Sequence, residues 1–184
     1  MIVNNCHIPQ ALCLSLKLKE LVLENVGLVG QLPKEIGQLQ QLEVLSFCDN
    51  MLSGSICEEI GDLTSLKTLN LGCNDLTGQI PVSIGRLVAL EALYLHNNRL
   101  CGPFVPGIGS LVNLRELFVF NNLLQGKIPW DVARLERLET LHADNNELHG
   151  AIPAELATLE FLGECDFRNN AGLYCIEFFQ GLLY

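Results

Sequence analysis

The stretch Leu63-Thr64-Ser65-Leu66-Lys67-Thr68-Leu69-Asn70-Leu71-Gly72-Cys73-Asn74-Asp75-Leu76-Thr77-Gly78-Gln79-Ile80-Pro81-Val82-Ser83-Ile84-Gly85-Arg86 is one period of this chain. The next period repeats Leu87, Leu90, Leu93, Leu95, Asn98, Leu100, Gly102 and Phe104. The one after it repeats Leu111, Leu114, Leu117, Val119, Asn122, Leu124, Gly126, Ile128 and Pro129. Working outward, Asn50, Asn74, Asn98, Asn122, Asn146 and Asn170 stand 24 residues apart without a slip, and Val26 fills the same slot one period earlier. A period held over that length describes a stack of small units, each touching only its neighbours. Such a stack presents a surface more readily than it builds a reaction chamber.

The residues within a period explain the stack. In Leu69-Asn70-Leu71 the two leucines share one side of an extended segment and Asn70 takes the other. Stacked segments make a parallel sheet whose leucine side is buried. Pro81 has no backbone donor and suits a turn or an edge, while Gly78 and Gly85 permit tight backbone. The recurring Asn carries donors and acceptors on a short side chain. Buried at the bend after each strand, it can satisfy backbone groups of its own and the adjacent coil. Asn50, Asn74, Asn98, Asn122, Asn146 and Asn170 are therefore expected to form a structural ladder.

About ten positions recur in register over nearly the whole chain. The pattern resembles the leucine-rich repeat, in the 24-residue form with a Gly-x-Ile-Pro segment typical of plant proteins. That resemblance implies an α/β repeat: a right-handed solenoid with a concave parallel β-sheet, and loops or short helical turns on the convex side. It also implies ligand binding on the concave face. The relatives it suggests are the ectodomains of plant receptor-like kinases and receptor-like proteins, and inhibitors of secreted cell-wall-degrading enzymes such as polygalacturonase-inhibiting proteins. Residues 1–184 are read as a single domain of about seven coils, with 1–17 and 171–184 as partial or cap-like repeats.

Composition narrows the partners. The chain is 49% hydrophobic and 17% charged, which fits a well-filled core. A formal net charge of −10 disfavours nucleic acid and anionic membranes and mildly favours a basic protein or peptide. Solubility accounts for the acidity equally well. No run reaches the ~18 apolar residues of a spanning helix, so no membrane insertion by this chain is expected. Met1 to Pro9 lack the basic and apolar segments of a secretory signal, and no Asn-x-Ser/Thr acceptor occurs. Both observations lean toward an intracellular location.

Of the eight cysteines, Cys57 takes a repeat Pro slot, Cys165 a core Leu slot, and Cys6 and Cys13 repeat Gly slots. Cys48, Cys73 and Cys101 fall on variable slots. Most read as scattered small residues in a compartment where thiols stay reduced. The resemblance adds an alternative, in which Cys6 with Cys13 and Cys165 with Cys175 are remnants of disulfide-bonded end caps. The segment from Asn169 to Cys175 resembles a family cap. The apolar tail from Phe178 to Tyr184 leaves three readings open: a degenerate cap, a longer array, or burial against a partner or a second copy.

Seven strands ~4.8 Å apart give a sheet roughly 30 Å across. Its outward positions read as columns. Between the two strand leucines stand Val22, Ser46, Asn70, Tyr94, Phe118, His142 and Asp166. Two residues later stand Glu24, Cys48, Gly72, His96, Phe120, Asp144 and Arg168. Tyr94, His96, Phe118, Phe120 and His142 thus form one patch on three neighbouring strands, within cross-strand contact range. Clustered aromatic residues on the face outside the core mark a binding site, although mutual packing of the rings would also stabilise the sheet. Glu116, Asp144, Asp166 and Glu164 rim the patch, and a partner would place a cation there.

Another column, Lys19, Glu43, Lys67, Glu91, Arg115 and Glu139, alternates in sign and is expected to pair from coil to coil. Trp130 is expected to cover the loop layer beneath it, with a lateral contact as the alternative.

An enzyme is disfavoured. His142 and Asp144 offer a His–carboxylate pair, but no nucleophile elbow, metal-ligand spacing or phosphate loop accompanies it. His96 and His142 lie two strands, or about 10 Å, apart. Cys48 and Cys73, on adjacent strands, lack histidine support and read as surface thiols and not zinc ligands. An open sheet has no closed pocket. No catalytic residue, metal site or cofactor is assigned, and the expected function is non-catalytic recognition of a protein or peptide.

Overall fold

In the computed structural model, residues 6–174 are described. Each coil runs strand, bend, second strand and 3₁₀ turn, then repeats. Seven short strands, Glu20–Val22, Val44–Ser46, Thr68–Asn70, Ala92–Tyr94, Glu116–Phe118, Thr140–His142 and Glu164–Asp166, pair in parallel and in chain order. The register follows the repeat: Leu69 pairs with Leu45 on one side and Leu93 on the other. Their side chains point away from solvent and are fully buried, as are Leu63, Leu66, Leu71 and Leu76 of the same coil. A stripe of apolar residues from every coil stacks on the next into one continuous core.

The bend after each strand depends on two residues. The first takes a left-handed backbone, from φ 51° at Asn25 to φ 56° at Asp49 and Asn169. Asn and Asp tolerate that region better than other side chains do. The second, from Asn50 onward, is the recurring Asn. Asn74 Nδ2 donates to the carbonyls of Phe47 (3.0 Å), Leu71 (3.2 Å) and Gly72 (3.0 Å), and its Oδ1 accepts from the Leu52 amide at 3.0 Å. One side chain thus satisfies buried backbone in two successive coils. Asn98, Asn122, Asn146 and Asn170 repeat the pattern.

Beyond the bend the structure departs from expectation. Where loops were anticipated, eight further strands form a second parallel sheet: Cys6–His7, Leu28–Gly30, Met51–Gly54, Asp75–Gln79, Arg99–Pro103, Leu123–Gly126, Glu147–Ala151 and Gly172–Tyr174. Leu76 is buried between exposed Asp75 and Thr77, the period-two signature of a half-buried strand. Gly78 then turns the chain with φ 77°.

Seven 3₁₀ turns close the coils, and they are the helical component of the repeat among the described residues. Pro81 sits in extended backbone just before Val82–Arg86, where its missing donor costs nothing. Gly61 is required by proximity: a Cβ there would lie 2.4 Å from the Ser83 carbonyl oxygen in the next coil. One coil deviates. Proline falls one slot late at Pro106, Gly107 takes φ 69°, and the turn shrinks to Ile108–Ser110.

The N-terminal disulfide does not form: Cys6 and Cys13 are free, with Cys13 buried in the core and Cys6 at the surface. The pairing of Cys165 with Cys175 and the tail from Phe178 to Tyr184 lie outside the described residues. Trp130 does not cover the loop layer. It is 69% exposed at the start of Trp130–Arg134. Among the described residues no helix is long and apolar enough to cross a membrane.

Candidate functional site

The predicted patch is assembled by strand register. Phe118 pairs with Tyr94 on one side and His142 on the other, so three rings stand side by side across three strands. His96 and Phe120 lie two residues further along, just past the strand ends. Phe118 meets Tyr94 edge-on at 5.2 Å between centroids and stacks on His142 at 4.9 Å. His96 stacks on Phe120 at 4.8 Å, and Phe118 and Phe120 join the two rows at 6.2 Å. All five side chains are half-buried. Such edge and stacked arrangements hold the rings rigidly and leave part of each face open.

Gly72 makes room for His96. A Cβ on Gly72 would lie 2.5 Å from His96 Cε1, so the imidazole leans over a residue without a side chain. His96 Nδ1 is buried without a hydrogen-bond partner. Burial lowers the His96 pKa, keeping the ring neutral and apolar in character.

The acidic rim is more compensated than its sequence suggests. Tyr94 Oη donates a hydrogen bond to Glu116, and burial together with that carboxylate pushes the phenol above its ordinary pKa. Asp166 accepts from Arg168 Nε at 2.9 and 3.0 Å and from the Arg168 amide at 2.9 Å. The guanidinium holds the Asp166 carboxyl below its ordinary range. Asp144 accepts from Asn145 Nδ2. Glu164 is exposed, with Oε1 at 3.1 Å from His142 Nε2, a contact off the donor direction of the ring. Asp144 and Glu164 form no ion pair with a Lys or Arg among the described residues, although the Arg168 charge is felt at Asp144. Arg168 was legible in its column but not as the counter-ion of Asp166, because a contact two residues apart depends on the local bend.

The charge column pairs in part. Lys19 and Lys67 flank Glu43 at 2.8 and 2.7 Å, and Arg115 meets Glu139 at 2.9 Å. A hollow of about 540 Å³ lies elsewhere, bordered by Gln31, Lys34, Ser55, Glu58, Gln79 and Pro106, and contains none of the predicted site residues. Among the described residues no group of three or more His, Cys, Asp or Glu side chains converges to hold a metal ion.

A leucine stripe in register, an asparagine at every bend and strands stacked in parallel define a leucine-rich-repeat solenoid. A family model described as a leucine-rich repeat region matches residues 3–122, and the chain belongs to that family. Solved structures give the subclass. The crystal structure of a TDR receptor matches with 36% identity and a TM-score of 0.88, covering 90% of this chain and 29% of that one. The LRR ectodomain of the plant membrane receptor kinase GASSHO1/SCHENGEN3 from Arabidopsis thaliana, in complex with CASPARIAN STRIP INTEGRITY FACTOR 2, matches with 33% identity and a TM-score of 0.85, covering 91% and 23%. The Arabidopsis receptor kinase HAESA ectodomain, in complex with an N-terminally extended IDA peptide hormone, matches with 31% identity and a TM-score of 0.85, covering 92% and 28%. The chain thus spans less than a third of each of these structures. A search of curated proteins returned no significant match.

These relatives correct one expectation. The absence of a signal and of glycosylation acceptors leaned toward an intracellular protein. The GASSHO1/SCHENGEN3 and HAESA structures are ectodomains of plant receptor kinases, which point instead to the extracellular side or the cell surface.

Proposed function

We propose that this chain is a ligand-recognition segment of a leucine-rich-repeat receptor ectodomain, and that it holds a protein or peptide against Tyr94, His96, Phe118, Phe120 and His142. The observation that carries this reading is the ring cluster itself. Five aromatic side chains from three coils meet on the face that the repeat leaves outside the core. Surface positions of a solenoid are free to be polar, and clustered half-buried rings there supply the rigid apolar anchors that interface centres use. The complexes of the HAESA ectodomain with a peptide hormone and of the GASSHO1/SCHENGEN3 ectodomain with CASPARIAN STRIP INTEGRITY FACTOR 2 support recognition without catalysis. Asp144 and Glu164 would meet a cationic group of the ligand at the edge of the patch. Glu116 and Asp166 contribute less, since Tyr94 and Arg168 already engage them.

The test is selection of binders from a random-peptide display library on the folded chain, repeated on Tyr94→Ala/Phe118→Ala/Phe120→Ala with folding checked by circular dichroism. Selected peptides should lose about 10- to 100-fold in affinity on the variant, the range typical of central anchors. Asp144→Asn and Glu164→Gln should change mainly the association rate and its salt dependence. Peptides that bind the folded variant as tightly as the parent would place recognition elsewhere.

A further inference from the structure

Three and two coils N-terminal to the centre of the ring cluster, Cys48 and Cys73 lie on neighbouring coils. Ser46 pairs with Asn70, which sets Cys48 opposite Gly72 and one residue from Cys73. The backbone stays in step beyond the strand: the Asp49 amide donates to the Gly72 carbonyl and the Asn50 amide to the Cys73 carbonyl, both at 3.1 Å. With coils ~4.8 Å apart and ~3.3 Å per residue, the two Cα atoms are about 6 Å apart, within the 4.4–6.8 Å range that disulfides span. Gly72 puts no side chain between them. The left-handed backbone at Cys73 (φ 54°) redirects its side chain, and burial, together with the neighbouring Cys73, raises the Cys48 thiol pKa. Both residues are partly exposed, so a small oxidant can reach them.

We propose that Cys48 and Cys73 are a disulfide-forming pair that cross-links two successive coils beside the recognition face. The oxidant is a small-molecule disulfide such as oxidised glutathione, by ordinary exchange. One cysteine thiolate attacks a glutathione sulfur, forming a mixed disulfide and releasing one glutathione thiolate. The second cysteine, deprotonated, attacks the protein sulfur of that mixed disulfide and expels the other glutathione. Two thiols and one oxidised glutathione become one protein disulfide and two reduced glutathiones. The two electrons pass to glutathione and the two protons to the departing thiolates. The extracellular setting suggested by the relatives favours the oxidised form, but the chemistry requires neither that setting nor a ligand.

A cross-link is favoured over a metal because a pair of thiols is two ligands short of a tetrahedral sulfur site and no third ligating side chain joins them among the described residues. The other described cysteines lie elsewhere: Cys6 is on the first described strand and Cys165 on the last of the seven, Glu164–Asp166. Cys13 is buried in the first described coil, Cys57 lies at a 3₁₀ turn with its thiol toward the Pro33 carbonyl, and Cys101 is on the second sheet.

The experiment equilibrates the folded chain with excess oxidised over reduced glutathione, alkylates the remaining thiols and maps tryptic peptides by mass spectrometry. Trypsin cleaves after Lys67, between the two cysteines. The expected product joins the peptide carrying Cys48 to the one carrying Cys73, two hydrogens lighter than their sum, with Cys57 alkylated on the first peptide. The thermal midpoint of the oxidised chain should rise by about 5–10 °C, given a closed loop of roughly 25 residues. Cys48→Ser, checked for folding by circular dichroism, should abolish both the cross-link and the rise. Recovery of Cys48 and Cys73 separately alkylated, or each carrying its own glutathione, would overturn the proposal, as would Cys48 joined to another cysteine. None of these outcomes depends on the ring cluster binding anything, so this proposal and the recognition proposal fail independently.

Discussion

At Cys73 a single side chain violates a rule that its counterparts in the stack obey. The slot before the recurring asparagine holds Asn25, Asp49, Asn97, Asn121, Asn145 and Asn169, all left-handed, and Cys73 adopts φ 54° beside them. The neighbouring amides also chain together: Asn121 Nδ2 donates to Asn97 Oδ1 at 2.6 Å and Asn169 Nδ2 to Asn145 Oδ1 at 2.7 Å, while Asn97 Nδ2 donates only to the Cys73 sulfur, at 3.3 Å. Under reducing conditions Cys73→Asn should therefore stabilise the chain by about 0.5–1 kcal/mol, part of the ~1–2 kcal/mol that a left-handed L-residue costs. A shift of the urea midpoint at constant slope would show it. From sequence Cys73 reads as an outlier in this slot because it shares neither the polarity nor the size of Asn and Asp. What unites the slot is a dihedral angle, visible only once the bend is folded.

The buried asparagine one position later makes the opposite prediction. Asn98 Nδ2 reaches the carbonyls of Leu71, Leu95 and His96, and its Oδ1 accepts from Leu76. Asn98→Ala leaves these backbone groups unpaired at ~1–3 kcal/mol each where they stay dry, so a loss of about 3 kcal/mol or more is expected in urea unfolding. Asn98→Asp should be at least as damaging. It preserves the acceptor for Leu76 but turns a carboxylate toward three carbonyl oxygens. Tolerance of Asp with intolerance of Ala would mean that packing volume, not the amide donor, is what the site requires.

Among elements, contact between successive 3₁₀ turns limits how closely coils stack. A Cβ on Gly61 meets the Ser83 carbonyl oxygen at 2.4 Å and Ser83 Cβ at 2.6 Å, whereas one on Gly85 meets its nearest atom, the Gly107 carbonyl oxygen, at 3.3 Å. Gly61→Ala should cost about 1–3 kcal/mol as overpacking against rigid backbone, and Gly85→Ala clearly less, both read from thermal melts. Sequence shows these glycines as one repeating slot and cannot grade them. The grading comes from the deviant coil at Pro106-Gly107, which replaces a side chain with glycine opposite Gly85. The same limit applies to the two sheets. The seven-stranded sheet was legible because Leu69 and Leu71 recur two apart with Asn74 fixing the bend. The second sheet was not, because Leu76 is its one fully apolar position in the coil and the Gly78 turn reads equally as a loop. The ring cluster was readable, since register alone brings Tyr94, Phe118 and His142 together. Its electrostatics were not, since Arg168 folds back on Asp166 and Glu116 is held by Tyr94.

For the molecule as a whole, the three lowered ionisations all make acid destabilising. The two lysines beside Glu43 hold its carboxyl at about 2, against an ordinary 4.5. Arg168 lowers Asp166, and burial lowers His96. In each case the unfolded chain binds more protons than the folded one as pH falls, so each contribution is present above the ordinary pKa and lost below it. His96 acts first, below its ordinary 6.5; Glu43 follows from 4.5 down to about 2, and Asp166 below its ordinary 3.8. Tyr94 runs the other way: its raised pKa adds stability that is complete below its ordinary 10 and fades above it. Burial raises the Cys13, Cys48 and Cys57 thiols above their ordinary 9.0, so their contributions fade above that pH, and the chain should be most stable between about pH 7 and pH 9. The thermal midpoint measured across pH should fall in two stages on acidification, and His96→Leu should remove the first while leaving the second. Salt should flatten the Glu43 part of the second stage, because that carboxylate and its lysines lie at the surface and are screened. A midpoint constant from pH 7 to pH 5 in the parent would mean that His96 protonates in place without strain, and that the ring cluster is open enough to hydrate a charge.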